Sequence, residues 1–489
     1  MEFTLTSYEK HPLYKIMHPS SIAFWGASNN SMVMGSVQLA HVLDMKFDGP
    51  VYPIHPKQDN IQGLKAYSKV SDVPGPVDLA VIILPTHVVP EALEDCGRFG
   101  IDSAIIVSAG FGEQEGTHGK ELQQQIVDIA RKYGIRFVGP NCIGVVNPYH
   151  KLNTTFFPYE GRPGFIGMAS QSGSFITQMF VHLDKFGLGY SEGFSLGNEA
   201  MTDLTDCIEY LAESPETRVI ALYIEGIRRG REFVRVATQV SRKKPIVAFY
   251  VGGSESGRRA GMSHTGAMAG SDALYDGIFK QSGIIRARSI EELFDFCYVL
   301  GSQPLPDGNG LAVLTHSGGP GAAASDAAER AGLKLSAFSK ETQEKLRALV
   351  PGTASIKNPV DLTFAKNYSD YLGTLPNILL QDENVDSLFI YCLMPRQRVI
   401  QAVVGAGIER SQASDFATQY IVSQSEIAGQ FSNNLGKPVV GGSYCDRSEL
   451  FVRELQDHGF PVLASPERAV TAMGALARYA SWRRYHEED

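Results

Sequence analysis

A chain of 489 residues, 43% of them hydrophobic and 20% charged, can bury enough apolar surface for about three domains of ordinary size. A formal net charge of −9, with no long run of Lys or Arg, excludes a general nucleic-acid binder, which carries a basic stripe. Six cysteines without C-x-x-C spacing fit neither a disulfide framework nor a zinc site, and no stretch approaches the roughly 20 apolar residues of a membrane span, so a cytoplasmic protein of small-molecule chemistry is expected.

The first third alternates short apolar runs with helix-sized segments: "SIAFWGAS", "GPVYPIHP", "VDLAVIILP", "IDSAIIVSAGFGE" and "IRFVGPNCIG". Runs apolar on both faces and joined by helices predict a parallel sheet covered on two sides, a doubly wound domain over residues 1–147. The pattern restarts with "FIGMASQSGSF", "VIALYIEGI" and "KPIVAFYVGG", giving a second domain over 160–300. After the Pro/Gly linker "GSQPLPDGNG" it restarts again with "LAVLTHSGGPG", "VDSLFIYCLM" and "KPVVGGSY", giving a third over 308–489.

In the first domain, Gly26 stands at the turn from strand to helix, where free N–H groups and the helix dipole attract phosphate. Ser28 replaces the second glycine of a G-x-G-x-x-G fingerprint, and "IHPK" ends the second strand where an acidic residue would bind a ribose diol. Lys57 therefore suits the 3′-phosphate of coenzyme A or the 2′-phosphate of NADP, unless it is a solvated loop lysine. Cys142 reads as a small buried thiol beneath a turn.

In the second domain, "GMSHTGAMAGSD" places His264 among glycines and small residues just before the helix start Ser271-Asp272. A reactive imidazole needs one free nitrogen and an acceptor for the other, and Glu225 directly after an apolar strand offers a carboxylate at the ligand-binding edge. The plainer alternatives are a histidine satisfied by a carbonyl and a solvated strand-end glutamate. A phosphorylated histidine also requires helix starts to hold the dianion, and "SQSGSF" and "HSGGPG" supply two, at Ser172 and Gly173 and at Gly318 and Gly319. Together these features predict a phosphoryl-carrying histidine on a loop with little bulk, able to reach two sites.

With "YPIHPK", "VDLAVIILP", "GPNCIGVVN", "SQSG", "YIEGIRRGREF", "SHTGAMAGSDALYDGIFKQSGII", "SGGPG", "NPVDL" and "SPERAV" in this order, the sequence resembles the α subunits of nucleoside-diphosphate-forming acyl-CoA synthetases. These are enzymes of the ADP-forming acetate–CoA ligase type, related to succinyl-CoA synthetase. The resemblance implies an α/β fold, a Rossmann-like CoA-binding domain followed by two flavodoxin-like doubly wound domains. It implies a reversible reaction in which acyl-CoA and phosphate give acyl phosphate and CoA, a histidine takes the phosphoryl group, and ADP receives it. By the same resemblance His264 is the phosphorylated histidine and Glu225 orients it. Gly26, Ser28 and Lys57 hold CoA, Pro85, Ser108 and Asn141 line that domain, and Ser172 and Gly173 form the phosphate-binding helix start.

Three departures stand out: His55 where the family usually has Asn, Tyr250 near an expected lysine, and His316-Ser317 in place of Asn-Ala. No ATP-grasp segment is recognisable in the sequence, so the resemblance implies a separate β subunit that binds ATP/ADP with Mg2+, in an α2β2 assembly. Two other readings follow from the residues: a catalytically silent CoA-binding regulatory or scaffolding protein, and an NADP-dependent oxidoreductase.

Overall fold

The computed structural model describes residues 7–114, 116–254, 270–362, 370–431 and 436–487. The chain forms two compact units, Met1–Asp184 with Leu188–Arg288, and Lys185–Gly187 with Ser289–Asp489. Among the described residues the first unit holds two large sheets and a two-stranded hairpin, and the second holds one sheet.

The five apolar runs of the first third become β1 (Ile22–Trp25), β2 (Val51–Ile54), β3 (Leu79–Ile82), β4 (Ser103–Ile106) and β5 (Arg136–Val138). They are parallel, in the order β2-β1-β3-β4-β5. Every residue of β1, β3 and β4 is buried, as a sheet covered on both faces requires. The covering helices are built by periodicity: α1 (Met34–Asp44) follows β1, and α2 (Val89–Phe99) buries Val89, Ala92, Leu93 and Cys96 on one face. α2 and α3 (His118–Tyr133) both end at left-handed glycines, Gly100 and Gly134. A small hairpin of Asn60–Ile61 and Leu64–Lys65 stands between β2 and β3.

The chain enters the second sheet before residue 147. β6 (Val145–Asn147) and β7 (Leu152–Asn153) add an antiparallel edge to β8 (Ile166–Ser170), β9 (Tyr190–Ser195), β10 (Val219–Ile224), β11 (Ile246–Tyr250) and β12 (Ile285–Ala287), in the order β12-β11-β10-β8-β9-β6-β7. In the second unit, β13 (Gly310–Thr315), β14 (Lys334–Leu335), β15 (Val360–Asp361), β16 (Ser387–Tyr391), β17 (Val439–Gly442) and β18 (Val462–Leu463) form a parallel sheet ordered β14-β13-β16-β17-β18, with β15 paired to the end of β13. Leaving β6, β7 and β15 aside, all three sheets share one winding: the first strand sits between the second and the third. Each therefore has a switch point beside its first strand, where ligands of such sheets bind.

The second unit is closed by the long helix Pro466–Glu487, which packs on Gly318–Arg330 and Ile290–Ser302. Arg468 grips the buried Asp295 with both arms, at 2.7 and 2.8 Å.

The first unit buries a polar cluster. Glu192, in the middle of β9 and 2% exposed, accepts from Tyr8 Oη at 2.5 Å and from Tyr210 Oη at 3.1 Å. Burial pushes its carboxyl up to about 7, against the pull of the two tyrosines. The same burial pushes the neighbouring His18 down to about 4. Between about pH 4.5 and 7 the folded state keeps a proton on Glu192 that the unfolded chain releases, so this group takes away stability as pH rises through that window. Glu192→Gln is accordingly expected to gain stability relative to the parent as pH rises from 4.5 to 7 and to hold that gain above it. Thermal denaturation at stepped pH checks this; a difference that does not change with pH would refute it.

All six cysteines are free, and five are buried. Cys142 is among the buried ones, its thiol pushed up to about 12 by burial and set 3.4 Å from the Ile106 carbonyl, as a small thiol packed beneath a turn would be. Among the described residues no helix is long and apolar enough to cross a membrane, and no group of three or more His, Cys, Asp or Glu is placed to hold a metal ion.

Candidate functional site

Six of the expected site residues fall on one edge of the first sheet, because each directly follows a parallel strand: Gly26 and Ser28 after β1, Lys57 after β2, Pro85 after β3, Ser108 after β4 and Asn141 after β5. Gly26 lies at the switch point with φ +93°, and a Cβ there would fall on the Ile83 carbonyl. A Cβ on Gly35 would in turn strike the Gly26 carbonyl, so the turn folds tightly onto the start of α1. Ser28 is tied down from both sides: its N–H donates to Ser36 Oγ at 2.9 Å, and that hydroxyl donates back to the Ser28 carbonyl at 2.9 Å. Ser108 Oγ stitches β4 to β3, accepting from Leu84 N at 2.9 Å and donating to Leu84 O at 2.7 Å. Pro85 and Lys57 are exposed on this rim.

His55 has a role that explains the departure from Asn. Its Nδ1 accepts the N–H groups of Lys57 and Gln58, both at 3.1 Å, which is the turn-capping task of an Asn side-chain oxygen. The loop presenting Lys57 is thus held although the residue type has changed.

The second sheet repeats the arrangement. Ser172 and Gly173 open α4 (Gly173–Asp184) after β8, and Glu225 follows β10, across the switch point. Gln171 joins them. Its Oε1 accepts from Glu225 N at 2.5 Å and Gly226 N at 3.0 Å, while its Nε2 donates to Gly226 O at 2.7 Å and Glu199 Oε2 at 2.8 Å. Glu199 is 7% exposed and sits at φ +49°. Burial, with Asp203 nearby, pushes its carboxyl up to about 7 against the pull of Gln171 and Arg228. Sequence reading missed Gln171, Glu199 and Arg228; the polar Gln between Ser170 and Ser172, at a turn beside the sheet's switch point, was the available signal.

The two edges meet. Asn141, at φ +57°, takes its N–H to Ser108 O at 2.9 Å and points its amide at Asn198 Oδ1, 3.2 Å away. Asn198 donates to Glu113 at 2.5 Å and Gln123 at 3.0 Å, and Arg228 donates to its carbonyl at 2.7 Å. The loop after β9 therefore rests on the loops after β4 and β5, bringing the Gly26 edge and the Glu225 edge into one neighbourhood.

His264 lies outside the described residues. Beyond it, Gly270 accepts a hydrogen bond from Tyr250 Oη at 2.8 Å, and Tyr250 stacks on Tyr275 at 3.6 Å between ring centroids. Tyr275 Oη accepts from Ile227 N at 3.1 Å, two residues past Glu225. Tyr250, near which the family resemblance expects a lysine, thus makes an aromatic link between Gly270 and the Glu225 turn.

Gly318 and Gly319 open the helix Gly318–Arg330 after β13, the equivalent edge of the third sheet, in the second unit. His316 is packed between Tyr371 and Tyr391, and burial lowers its pKa.

Comparison with known proteins accounts for this threefold layout. Residues 20–148 match a CoA binding domain, 163–300 a succinyl-CoA ligase like flavodoxin domain and 311–484 a Ligase-CoA domain. Acetate–CoA ligase [ADP-forming] II subunit alpha of Pyrococcus furiosus is 39% identical over 95% of this chain and 97% of its own length. The chain belongs to the family of ADP-forming acyl-CoA synthetase α subunits. Acetate–CoA ligase [ADP-forming] I of Archaeoglobus fulgidus is 38% identical over 95% of the chain, which spans 63% of that longer relative. The solved dinucleotide forming acetyl-coenzyme A synthetase 1 of Ca. Korarchaeum cryptofilum, in complex with phosphate and ADP, superposes with a TM-score of 0.83 at 34% identity, over 97% of this chain and 98% of that one. The synthetase fold is thus a Rossmann-like CoA-binding domain followed by two flavodoxin-like doubly wound domains, as the sequence motifs imply.

Proposed function

We propose that this chain is the α subunit of an NDP-forming acid–CoA ligase, working with a separate ATP-grasp β subunit as an α2β2 assembly. The reading is carried by one observation: Gln171 locks the Glu225 turn to the Ser172-Gly173 helix start, and Arg228 beyond that turn bonds the Asn198 loop that meets Asn141 at the carboxyl edge of the CoA-binding domain. Residues 1–147 bind CoA, 160–300 carry the phosphohistidine, and 308–489 form the second flavodoxin-like ligase domain. Free cysteines throughout support a reducing, cytoplasmic setting.

In this reading the CoA pyrophosphate lies against the turn at Gly26 and Ser28, Lys57 pairs with the 3′-phosphate, and Pro85, Ser108 and Asn141 line the path of the thioester. Inorganic phosphate, held by the backbone N–H groups at Ser172 and Gly173, attacks the thioester carbonyl; the C–S bond breaks and CoA leaves as the thiol. A ring nitrogen of His264 then attacks phosphorus, and the acid leaves as its carboxylate. Glu225 accepts from the other ring nitrogen, which fixes the tautomer and stabilises the positive charge that develops. A terminal ADP oxygen on the partner finally takes the phosphoryl group, freeing the histidine and giving ATP. Gly318 and Gly319 offer the same amide-lined helix start to phosphate in the third domain. Mg2+ travels with the nucleotide on the β subunit and neutralises phosphate charge there.

The purified chain alone is expected to form no ATP from acyl-CoA, phosphate and ADP, and to do so once the β subunit is added, for at least one acid in a panel of short, branched, aromatic and dicarboxylic acids. A coupled ATP assay decides; robust turnover by this chain unaided would overturn the two-subunit reading.

A further inference from the structure

The Glu225 turn has no regular secondary structure of its own to hold it, yet a carboxylate that must meet an imidazole within hydrogen-bond reach cannot wander. Gln171 supplies the missing restraint with a fully used side-chain amide: both N–H groups of residues 225 and 226 enter its oxygen, and its nitrogen feeds Gly226 O and Glu199 Oε2. The amide cannot be flipped, since a flip would set its NH2 against two N–H donors and its oxygen against a carbonyl and a carboxylate. Glu199 enforces that orientation and is itself fixed, accepting from Leu204 N at 3.0 Å and pairing with Arg228 at 3.4 Å. Because Gln171 directly precedes Ser172 and Gly173, one residue sets the spacing between the phosphate-binding helix start and the glutamate.

We propose that Gln171, oriented by Glu199, is a positioning residue that holds Glu225 in register with the phosphate-binding helix start for phosphoryl transfer between acyl phosphate and histidine. The inference rests on the function proposed above. Displacing Glu225 by about 1 Å is enough to cost on the order of 10²-fold in rate, while the strands that carry the CoA edge make no direct bond to Gln171.

The test uses the α subunit with its β partner and an acid that the parent turns over. Gln171→Leu is expected to lower kcat about 100-fold with the KM for CoA unchanged. Gln171→Glu keeps the acceptor for residues 225 and 226 but sets a second carboxylate against Glu199. Charged groups facing Glu199 besides residue 171 are Arg228 and Asp203, with Tyr275 and Cys207 farther off. Activity of this variant should therefore be highest in acid, where the carboxyl pair shares a proton, and fall relative to the parent as pH rises and that proton is lost. Adding Glu199→Gln restores a donor against residue 171 and should recover about tenfold at alkaline pH, the worth of one strong hydrogen bond.

Unchanged kcat in Gln171→Leu, a Gln171→Glu pH profile parallel to the parent, or no recovery in the double variant overturns the proposal, provided thermal melting shows each variant folded. The recovery arm keeps the test decisive if the leucine variant fails to fold. If the parent itself turns over no acid and takes no phosphoryl label from ATP, the function proposed above fails instead.

Discussion

His264→Ala, combined with the β subunit and ATP labelled in its γ-phosphate, is expected to take up no acid-labile, base-stable phosphoryl group. Acyl-CoA synthesis should fall on the order of 10⁴-fold or more, because the proposed mechanism assigns to this histidine the covalent intermediate that divides the transfer into two steps. The effect should stop there. The residues assigned to CoA lie on the edge of the first sheet, on strands that do not carry the histidine, so CoA should still raise the melting temperature of the variant. That linkage is worth about 2.7 kcal/mol at a hundredfold excess over Kd. Undiminished labelling in the variant would move the phosphoryl acceptor to another residue, and loss of CoA stabilisation would mean that the substitution had disturbed the fold.

The second large effect concerns Gly26. Alanine there meets two independent obstacles: φ is +93°, and the new Cβ would fall on the Ile83 carbonyl, a backbone group between β3 and Pro85 that cannot rotate away. The conformational cost is about 1–2 kcal/mol and the overpacking about 1–3 kcal/mol, so Gly26→Ala should lose roughly 2–5 kcal/mol of stability. Since relief requires the β1 and β3 ends to separate at the switch point, the CoA-induced rise in melting temperature should vanish as well. Gly63 is the control. It also has positive φ, at +84°, but nothing lies within 4 Å of its would-be Cβ. Gly63→Ala should therefore carry only the conformational cost, about 1 kcal/mol, and retain the CoA response. A Gly26→Ala variant that still responds fully to CoA would show that the ligand binds elsewhere.

Much of the site was legible in the sequence because parallel sheets place function by a local rule. An apolar run ends, and the next few residues stand at the ligand-binding edge. That rule points to Gly26, Lys57, Ser172, Glu225 and Gly318 as candidates, whereas Ser108 and Asn141 came from the family resemblance. The rule is silent on residues whose importance lies in a partner far along the chain. Gln171 meets Glu225 across 54 positions, and Asn198 meets Glu113 across 85. Nothing in "SLGNEA" marks Glu199 as a buried carboxyl, because its burial comes from packing by segments on either side. The contacts of His55 and Tyr250, two of the departures from the family pattern, likewise come only from the geometry.

Boundaries behave in the same way. Val145–Asn147 reads as the end of the first domain, since it continues the apolar run of "GPNCIGVVN", but it pairs with β9 of the second sheet. Hydrophobic patterning reports that a segment is buried in a sheet and does not report which sheet. Glu192 is the sharper case: polar within an otherwise buried strand, it is retained by tyrosines at positions 8 and 210 that only the fold brings to it.

By itself, then, the sequence determined the three α/β units, the turns that follow their strands and the family motifs, all of which depend on residues close together in the chain. Tertiary structure alone decided that the three sheets share one strand order, that the edges of the first two meet through Asn141 and Asn198, and that Gln171 and Glu199 hold the Glu225 turn. The reason is physical: periodicity and turn chemistry act within a few residues, whereas a buried hydrogen bond is selected by the desolvation cost of leaving it unmade, wherever in the chain its partner lies.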